Sequence, residues 1–161
     1  MSLFDFIIFT VCVCCIFYAP LSILRIMPPI PKKDGVVAII QNAAGKYLLI
    51  RRGLTLTRAP GVWCFVGGQV EHGEAFDAAI VREVCEEVGL TIEAVAKVHE
   101  SISPNGEFRL HWFSTRLLDP AQSVRPHAVE VAESCWLSFD EAVKLDPILP
   151  TLKAWLQTQH T

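Results

Sequence analysis

The 161-residue chain has no basic excess: 14 Lys and Arg stand against 17 Asp and Glu, for a net charge of −3. That balance excludes a general nucleic-acid binder, which would carry a basic stripe. Its six cysteines, Cys12, Cys14, Cys15, Cys64, Cys85 and Cys135, do not make up the paired ligand set of a zinc finger. They read as reduced, small apolar residues. No internal repeat is present. The longest gap in charge is Phe6 to Leu24, which contains no Asp, Glu, Lys or Arg. A cleaved signal peptide, a buried core helix and a wrongly assigned start are the rival readings of this run; a signal peptide fits it poorly, because Ser2 to Asp5 lacks a basic residue and Phe17-Tyr18-Ala19 is not a small-x-small site. As a helix, residues 6–24 come close to the roughly 30 Å thickness of a bilayer's hydrocarbon core. Arg25, Lys32 and Lys33 follow, which puts the rest of the chain on the cytoplasmic side. Residues 1–26 are therefore read as an apolar membrane-anchoring helix. Met27 to Asp34 is a stiff Pro-rich spacer, and residues 35–161 form one globular domain.

Glycine is also sparse, nine in all, yet two stand together at Gly67-Gly68 and open the most informative segment. From Gly68 to Leu90 it reads GQVEHGEAFDAAIVREVCEEVGL. Ala75, Phe76, Ala79, Ile80 and Val84 repeat at helical spacing and predict an apolar stripe. Gly89 stands where a left-handed C-terminal cap belongs. Glu83, Glu86 and Glu87 fall at i, i+3 and i+4, which makes them neighbours on one helix face. Like charges at that spacing repel by a few tenths of a kcal/mol. A divalent cation reverses the sign, since hard cations take carboxylate oxygens and Mg²⁺ pairs them with substrate phosphates.

The segment resembles the Nudix box, G-x5-E-x7-R-E-U-x-E-E-x-G-U with U aliphatic. Gly68, Glu74, Arg82, Glu83, Val84, Glu86, Glu87, Gly89 and Leu90 fill every specified position. The resemblance implies the α/β class, as an α/β/α sandwich with a mixed β-sheet. It implies a hydrolase that uses Mg²⁺ or Mn²⁺ to cleave a phosphoanhydride in a nucleotide-type small molecule by attack of water on phosphorus. Glu83, Glu86 and Glu87 are then the expected metal ligands, and Arg82 the group that holds a box carboxylate in place. Glu74 is expected to brace the loop on the helix or to reach the metal through water. Gly67 and Gly68 are expected to approach metal or substrate through their backbone. Modules of this fold that bind without cleaving usually lose box acids, and this chain keeps all of them. One departure is Val66, where many relatives have proline.

Three carboxylates are candidates for the base that activates water: Glu83 within the box, and Glu130 and Glu133 on a later segment. Glu83 has the advantage of a rigid helix, whereas the later loop would have to be placed by substrate. Arg51 and Arg52 end a strand near the expected cleft and are candidate phosphate contacts. Arg109 and His111 share a strand face. Trp63, Trp112 and Trp136 are read as core residues before base-stacking ones.

The remaining pattern predicts strands at Gly35–Gln41, Lys46–Arg52, Val62–Val66, Thr91–Ile102, Glu107–Leu117 and Glu133–Leu137. Asn105-Gly106 after Pro104 predicts a hairpin turn. Ser138 with Glu141 predicts a capping box opening a short helix to Leu145, and Pro150–Gln157 predicts a terminal amphipathic helix.

Overall fold

A computed structural model describes Pro31 and residues 33–159. The expected membrane helix at residues 6–24 lies outside the described residues. Among the described residues no helix is long and apolar enough to cross a membrane. The elements are β1 (Lys33–Ile39), β2 (Tyr47–Arg52), β3 (Trp63–Cys64), α1 (Phe76–Val88), β4 (Ile92–Ile102), β5 (Phe108–Leu117), β6 (Val131–Leu137), α2 (Phe139–Ala142) and α3 (Pro150–Thr158).

They form two three-stranded sheets, β1-β5-β4 and β3-β2-β6. β1 runs parallel to β5, and every other pair is antiparallel. The side of β1 away from β5 is closed by the chain just before α1. Val36 N–H donates to Gly68 O (2.9 Å), Ala38 N–H to Val66 O (2.8 Å), and Val70 N–H to Asp34 O (3.0 Å). The glycine pair is thus fastened to the sheet like a short extra strand.

Alternation along β1 and β2 assigns the two faces. Val36, Ala38, Ile40, Leu48 and Ile50 pack against Ala79, Ile80, Val84 and Val88 of α1. Ile39 and Leu49 face the other way, with Trp63, Phe65, Trp112 and the α3 residues Leu152, Trp155 and Leu156. Trp155 meets Tyr47, Phe65 and Trp112 with ring centroids 5.3–6.1 Å apart. The result is the expected α/β/α sandwich. Trp63 and Trp112 are core residues, 8% and 1% exposed, and offer no face to a ligand. Trp136 is partly buried against the α1 side.

Element boundaries differ from the sequence reading where a distant partner decides them. Lys33 and Asp34, read as the end of the spacer, are the first residues of β1, because β5 pairs them with Phe108 and Arg109. Likewise β6 begins at Val131, opposite Arg52. The capping box at Ser138 and Glu141 forms, yet regular helix stops at Ala142 rather than Leu145. The chain there tightens into turns and leads to Pro147, whose carbonyl accepts from Trp63 N–H (2.9 Å).

Gly67 has no room for a side chain, since a Cβ would lie 2.1 Å from Val36 O. Gly67→Ala should therefore force the loop off β1. A loss of about 1–3 kcal/mol is expected from that overpacking, read as a lowered thermal midpoint.

Candidate active site

α1 ends on Gly89 at φ 65°, whose N–H returns to Cys85 O. The inward stripe of Ala79, Ile80, Val84 and Val88 fixes the rotation of the helix and carries the acids to its border. Glu86 remains exposed, with 57% of its side chain accessible. Glu83 is largely covered, and Glu87 is buried outright at 7%. The three acids are therefore not spread on one open face. Glu87 lies under the glycine loop, where its Oε2 accepts from Gly67 N–H at 3.3 Å. Gly68 is needed for the same approach, since a Cβ there would stand 2.3 Å from the Glu83 carboxylate.

Burial dominates the electrostatics. Loss of water pushes the Glu87 carboxyl up to about 8. The Gly67 N–H and the Arg52 charge oppose that shift, while the charges of Glu83 and Glu130 add to it. Burial raises Glu83 too, against the pull of Arg82.

Arg82 uses its whole guanidinium. Nε and Nη2 donate to the two oxygens of Glu74 (2.8 and 2.9 Å), Nη1 to Glu83 and Glu86 (2.9 and 3.0 Å), and Nη2 also to Gln69 O (3.1 Å). Those are all the donors this side chain owns. Glu74 additionally accepts from Glu71 N–H at 3.0 Å, so it ties loop to helix as expected.

The later segment does not wait for a ligand to be placed. Arg125 and His127 N–H donate to Val88 O and Glu87 O at the end of α1, both at 2.8 Å. Gly53 N–H donates to Glu130 O at 2.7 Å, and Gly53 has no Cβ because one would fall 1.9 Å from Val129 O. This brings the Glu130 charge to bear on both Glu83 and Glu87. Glu133 is elsewhere. It pairs with Arg51 (3.9 Å), on the side of the sheet shared with Leu49 and Trp63.

The two arginines also part company. Arg51 Nε donates to Gly61 O (3.0 Å) and holds the β2–β3 loop. Arg52, the next residue along β2, turns to the α1 side, where its charge acts on Glu87. Arg109 is 3.7 Å from Glu100, and His111 is buried beside Asp34, both outside the acid cluster. The sequence reading missed Gly53, Arg125 and His127, whose backbone contacts carry no local signal.

Among the described residues no three Asp, Glu, His or Cys side chains stand grouped to hold a metal ion. Arg82 draws Glu83 and Glu86 onto itself, and Glu87 is held by Gly67. The donor chemistry nonetheless fits a hard divalent cation. Glu83, Glu86 and Glu87 offer carboxylate oxygens from one helix, and the most buried of them has the Gly67 N–H as its hydrogen-bond partner.

The Arg82–Glu74 pair has a pH signature. Arg82's hydrogen bonds, with the Glu71 N–H, hold the Glu74 carboxyl down at about 2, below its ordinary 4.5. A lowered folded-state value stabilises the fold above the ordinary value, and that contribution is lost as pH falls through about 2. Glu74→Gln should thus lower the thermal midpoint at pH 7. The gap to wild type should close as the pH falls below about 4.5 toward 2.

Comparison with known proteins bears on the same residues. The MutT protein of Methanosarcina mazei Go1 superposes with a TM-score of 0.71 at 22% identity, covering 81% of this chain and 94% of that one. An isopentenyl-diphosphate Delta-isomerase of Klebsiella pneumoniae (strain 342) is 29% identical over 62% of this chain and 57% of its own length. The m7GpppN-mRNA hydrolase NUDT17 of Danio rerio is 32% identical over 66% of this chain and 41% of its own. The chain thus spans about half the length of these curated relatives. The family model for the NUDIX domain matches residues 31–159, and the chain belongs to the NUDIX family.

Proposed function

We propose that the chain is a Mg²⁺-dependent pyrophosphohydrolase that cleaves a phosphoanhydride in a nucleoside diphosphate derivative, with Mn²⁺ as an alternative ion. One observation supports this above the rest. Glu87 is a carboxyl group sealed under the Gly67-Gly68 loop, where the charges of Glu83 and Glu130 act on it against that of Arg52, while Arg82 bonds Glu83 and not Glu87. Such a group calls for a cation that arrives with an anionic substrate.

Glu83, Glu86 and Glu87 would hold the ion. When bound, it neutralises phosphate charge and lowers the pKa of its water. The chain's own residues do the rest. Arg82 holds the rotamers of Glu83 and Glu86 through its hydrogen bonds, and these carboxylates would turn from it toward the ion on binding. Arg52 supplies positive charge for the phosphates. Glu83 and Glu130 are the candidates to take the proton from water, and the Glu130 backbone is held by Gly53 rather than by substrate. Of the two curated relatives, one is a hydrolase and the other an isomerase. The assay must therefore read phosphate release, and not substrate consumption alone.

Residues 6–24 are proposed to anchor this domain at the cytoplasmic face of a membrane, on the strength of their missing charge and the basic residues after them.

A panel of ADP-ribose, nucleoside triphosphates, dinucleoside polyphosphates and sugar nucleotides should give phosphate-containing products only with Mg²⁺ or Mn²⁺ present. Glu86→Gln and Glu87→Gln should each lower kcat by roughly a hundredfold or more. In metal-free buffer Glu87→Gln should leave the thermal midpoint near wild type at pH 7, where a carboxyl pushed up to about 8 is largely protonated, and raise it relative to wild type above that pH. Glu130→Gln should lower kcat with metal affinity unchanged, Glu83→Gln should lower both, and Glu133→Gln should stay near wild type. Conversion of isopentenyl diphosphate without phosphate release, or full activity of Glu87→Gln, would overturn the reading.

The anchor has its own assay. Full-length protein should stay with membranes through alkaline carbonate extraction, whereas a chain begun at Pro31 should not.

A further inference from the structure

Among the described residues His111 is, with Glu87, a buried polar side chain that can carry charge near neutral pH, 4% exposed. It lies on β5 between Val36 of β1 and Glu100 of β4. Its Nε2 is 2.8 Å from Asp34 Oδ1. A carboxylate only accepts, so the hydrogen bond assigns the ring proton to Nε2. Nδ1 has no hydrogen-bond partner, and the Glu100 carboxylate stands 3.6 Å away.

The imidazole also lies flat on the Phe76 ring, with centroids 4.0 Å apart and planes at 19°. Phe76 was expected in the core of α1, but it is 36% exposed. One buried histidine therefore does two things. It backs an aromatic ring that still faces outward, and it fixes one oxygen of a carboxylate. The other oxygen, Asp34 Oδ2, has no partner among the described residues.

Phe76 and Asp34 both line a cavity of about 400 Å³, together with Lys33, Gln69, Glu71 and Glu74. That volume is in the range of small-molecule sites, about 300–1,000 Å³. Its lining carboxylates are Asp34, Glu71 and Glu74, against the cation Lys33; Glu74 is engaged by Arg82, and Lys33 shares Glu107 with Arg58 (3.0 and 2.9 Å). Acid therefore predominates in the lining, which favours N–H donors over phosphate. The pocket adjoins the acid cluster directly, since Arg82 bonds Glu74 and Gln69 O with the same guanidinium that bonds Glu83 and Glu86.

We propose that this cavity is the subsite for a planar, amino-bearing base of the substrate, stacked on Phe76 with its amino group donating to Asp34 Oδ2. The proposal rests on the nucleotide reading above. The phosphates then point out of the acid-lined pocket and toward Glu83, Glu86 and Glu87. His111 touches no substrate. It is a positioning residue for the ring and the carboxylate.

Binding of adenosine 5′-monophosphate tests this without turnover, because the ligand has no phosphoanhydride. Full-length protein in Mg²⁺ buffer is titrated calorimetrically with that nucleotide, inosine 5′-monophosphate and ribose 5-phosphate. The adenine nucleotide should bind about tenfold or more tightly than ribose 5-phosphate, and more tightly than the inosine nucleotide. Phe76→Leu keeps apolar volume but loses the ring face, and should bring the adenine nucleotide down to the ribose 5-phosphate level. Asp34→Asn can still accept from His111 while presenting a donor in place of Oδ2. It should reverse the preference toward the keto-bearing inosine nucleotide. Equal affinity of wild type for all three ligands overturns the proposal. So does an unchanged adenine-to-inosine ratio in Asp34→Asn, or unchanged adenine affinity in Phe76→Leu. The two readings fail separately. Binding as described with no hydrolysis of any panel compound removes the hydrolase reading alone, and intact hydrolysis with indifferent Phe76 and Asp34 variants removes the subsite alone.

Discussion

The site depends on a backbone squeezed between a strand and a helix. At Gly67 a single carbon would collide with Val36 O, and at Gly68 with the Glu83 carboxylate. Neither glycine is there for flexibility. Hydrogen bonds from Val36 and Ala38 fasten the loop to β1, and Gly67 in turn donates to Glu87. Sheet, loop and helix are thereby joined through peptide groups, with side chains admitted only from α1.

That closeness changes which electrostatic effect rules. Repulsion among i, i+3 and i+4 carboxylates on an exposed helix amounts to a few tenths of a kcal/mol. Burial of Glu87, with its carboxyl pushed from 4.5 to about 8, costs roughly 3–5 kcal/mol to keep it ionised. Desolvation exceeds surface repulsion about tenfold. Arg82 offsets the charge of Glu83 and Glu86 but does not bond Glu87. Without a cation a carboxyl pushed that high is largely protonated at neutral pH, so the demand for a bound cation is concentrated at the residue that the loop covers.

Much of this was legible in the chain, and the unread parts have a common cause. The box helix, its Gly89 cap, the Ser138 capping box and the Asn105-Gly106 turn are local, and each formed where spacing placed it. The seating of Glu87 was legible in principle, because it stands three residues after the inward Val84. The carboxylate chemistry drew attention to the open face instead. Phe76 left the apolar stripe because His111, thirty-five positions away, offered it a ring. Alternation along β2 puts Arg52 on the α1 face with Leu48 and Ile50 and Arg51 on the other with Leu49, but which face holds the site is decided by the packing of α1, far along the chain. The anchoring of Glu130 is invisible for another reason. It uses N–H groups of Gly53, Arg125 and His127, which every non-proline residue possesses.

The two faces of the sheet carry different burdens, and residue size expresses the difference. Toward α1 the contacts are aliphatic: Val36, Ala38, Ile40, Leu48 and Ile50 against Ala79, Ile80, Val84 and Val88. Ala79 is fully buried between helix and sheet, so a larger side chain there would push α1 outward and carry Glu83 and Glu87 from the glycine loop. Toward α3 Trp63, Phe65, Trp112 and Trp155 fill the other side. Aromatics of this kind bury about 150–250 Å² each, so that side carries much of the fold's apolar burial. A substitution that shrinks Trp155 should therefore weaken the whole fold, while one that enlarges Ala79 should disturb the acids first.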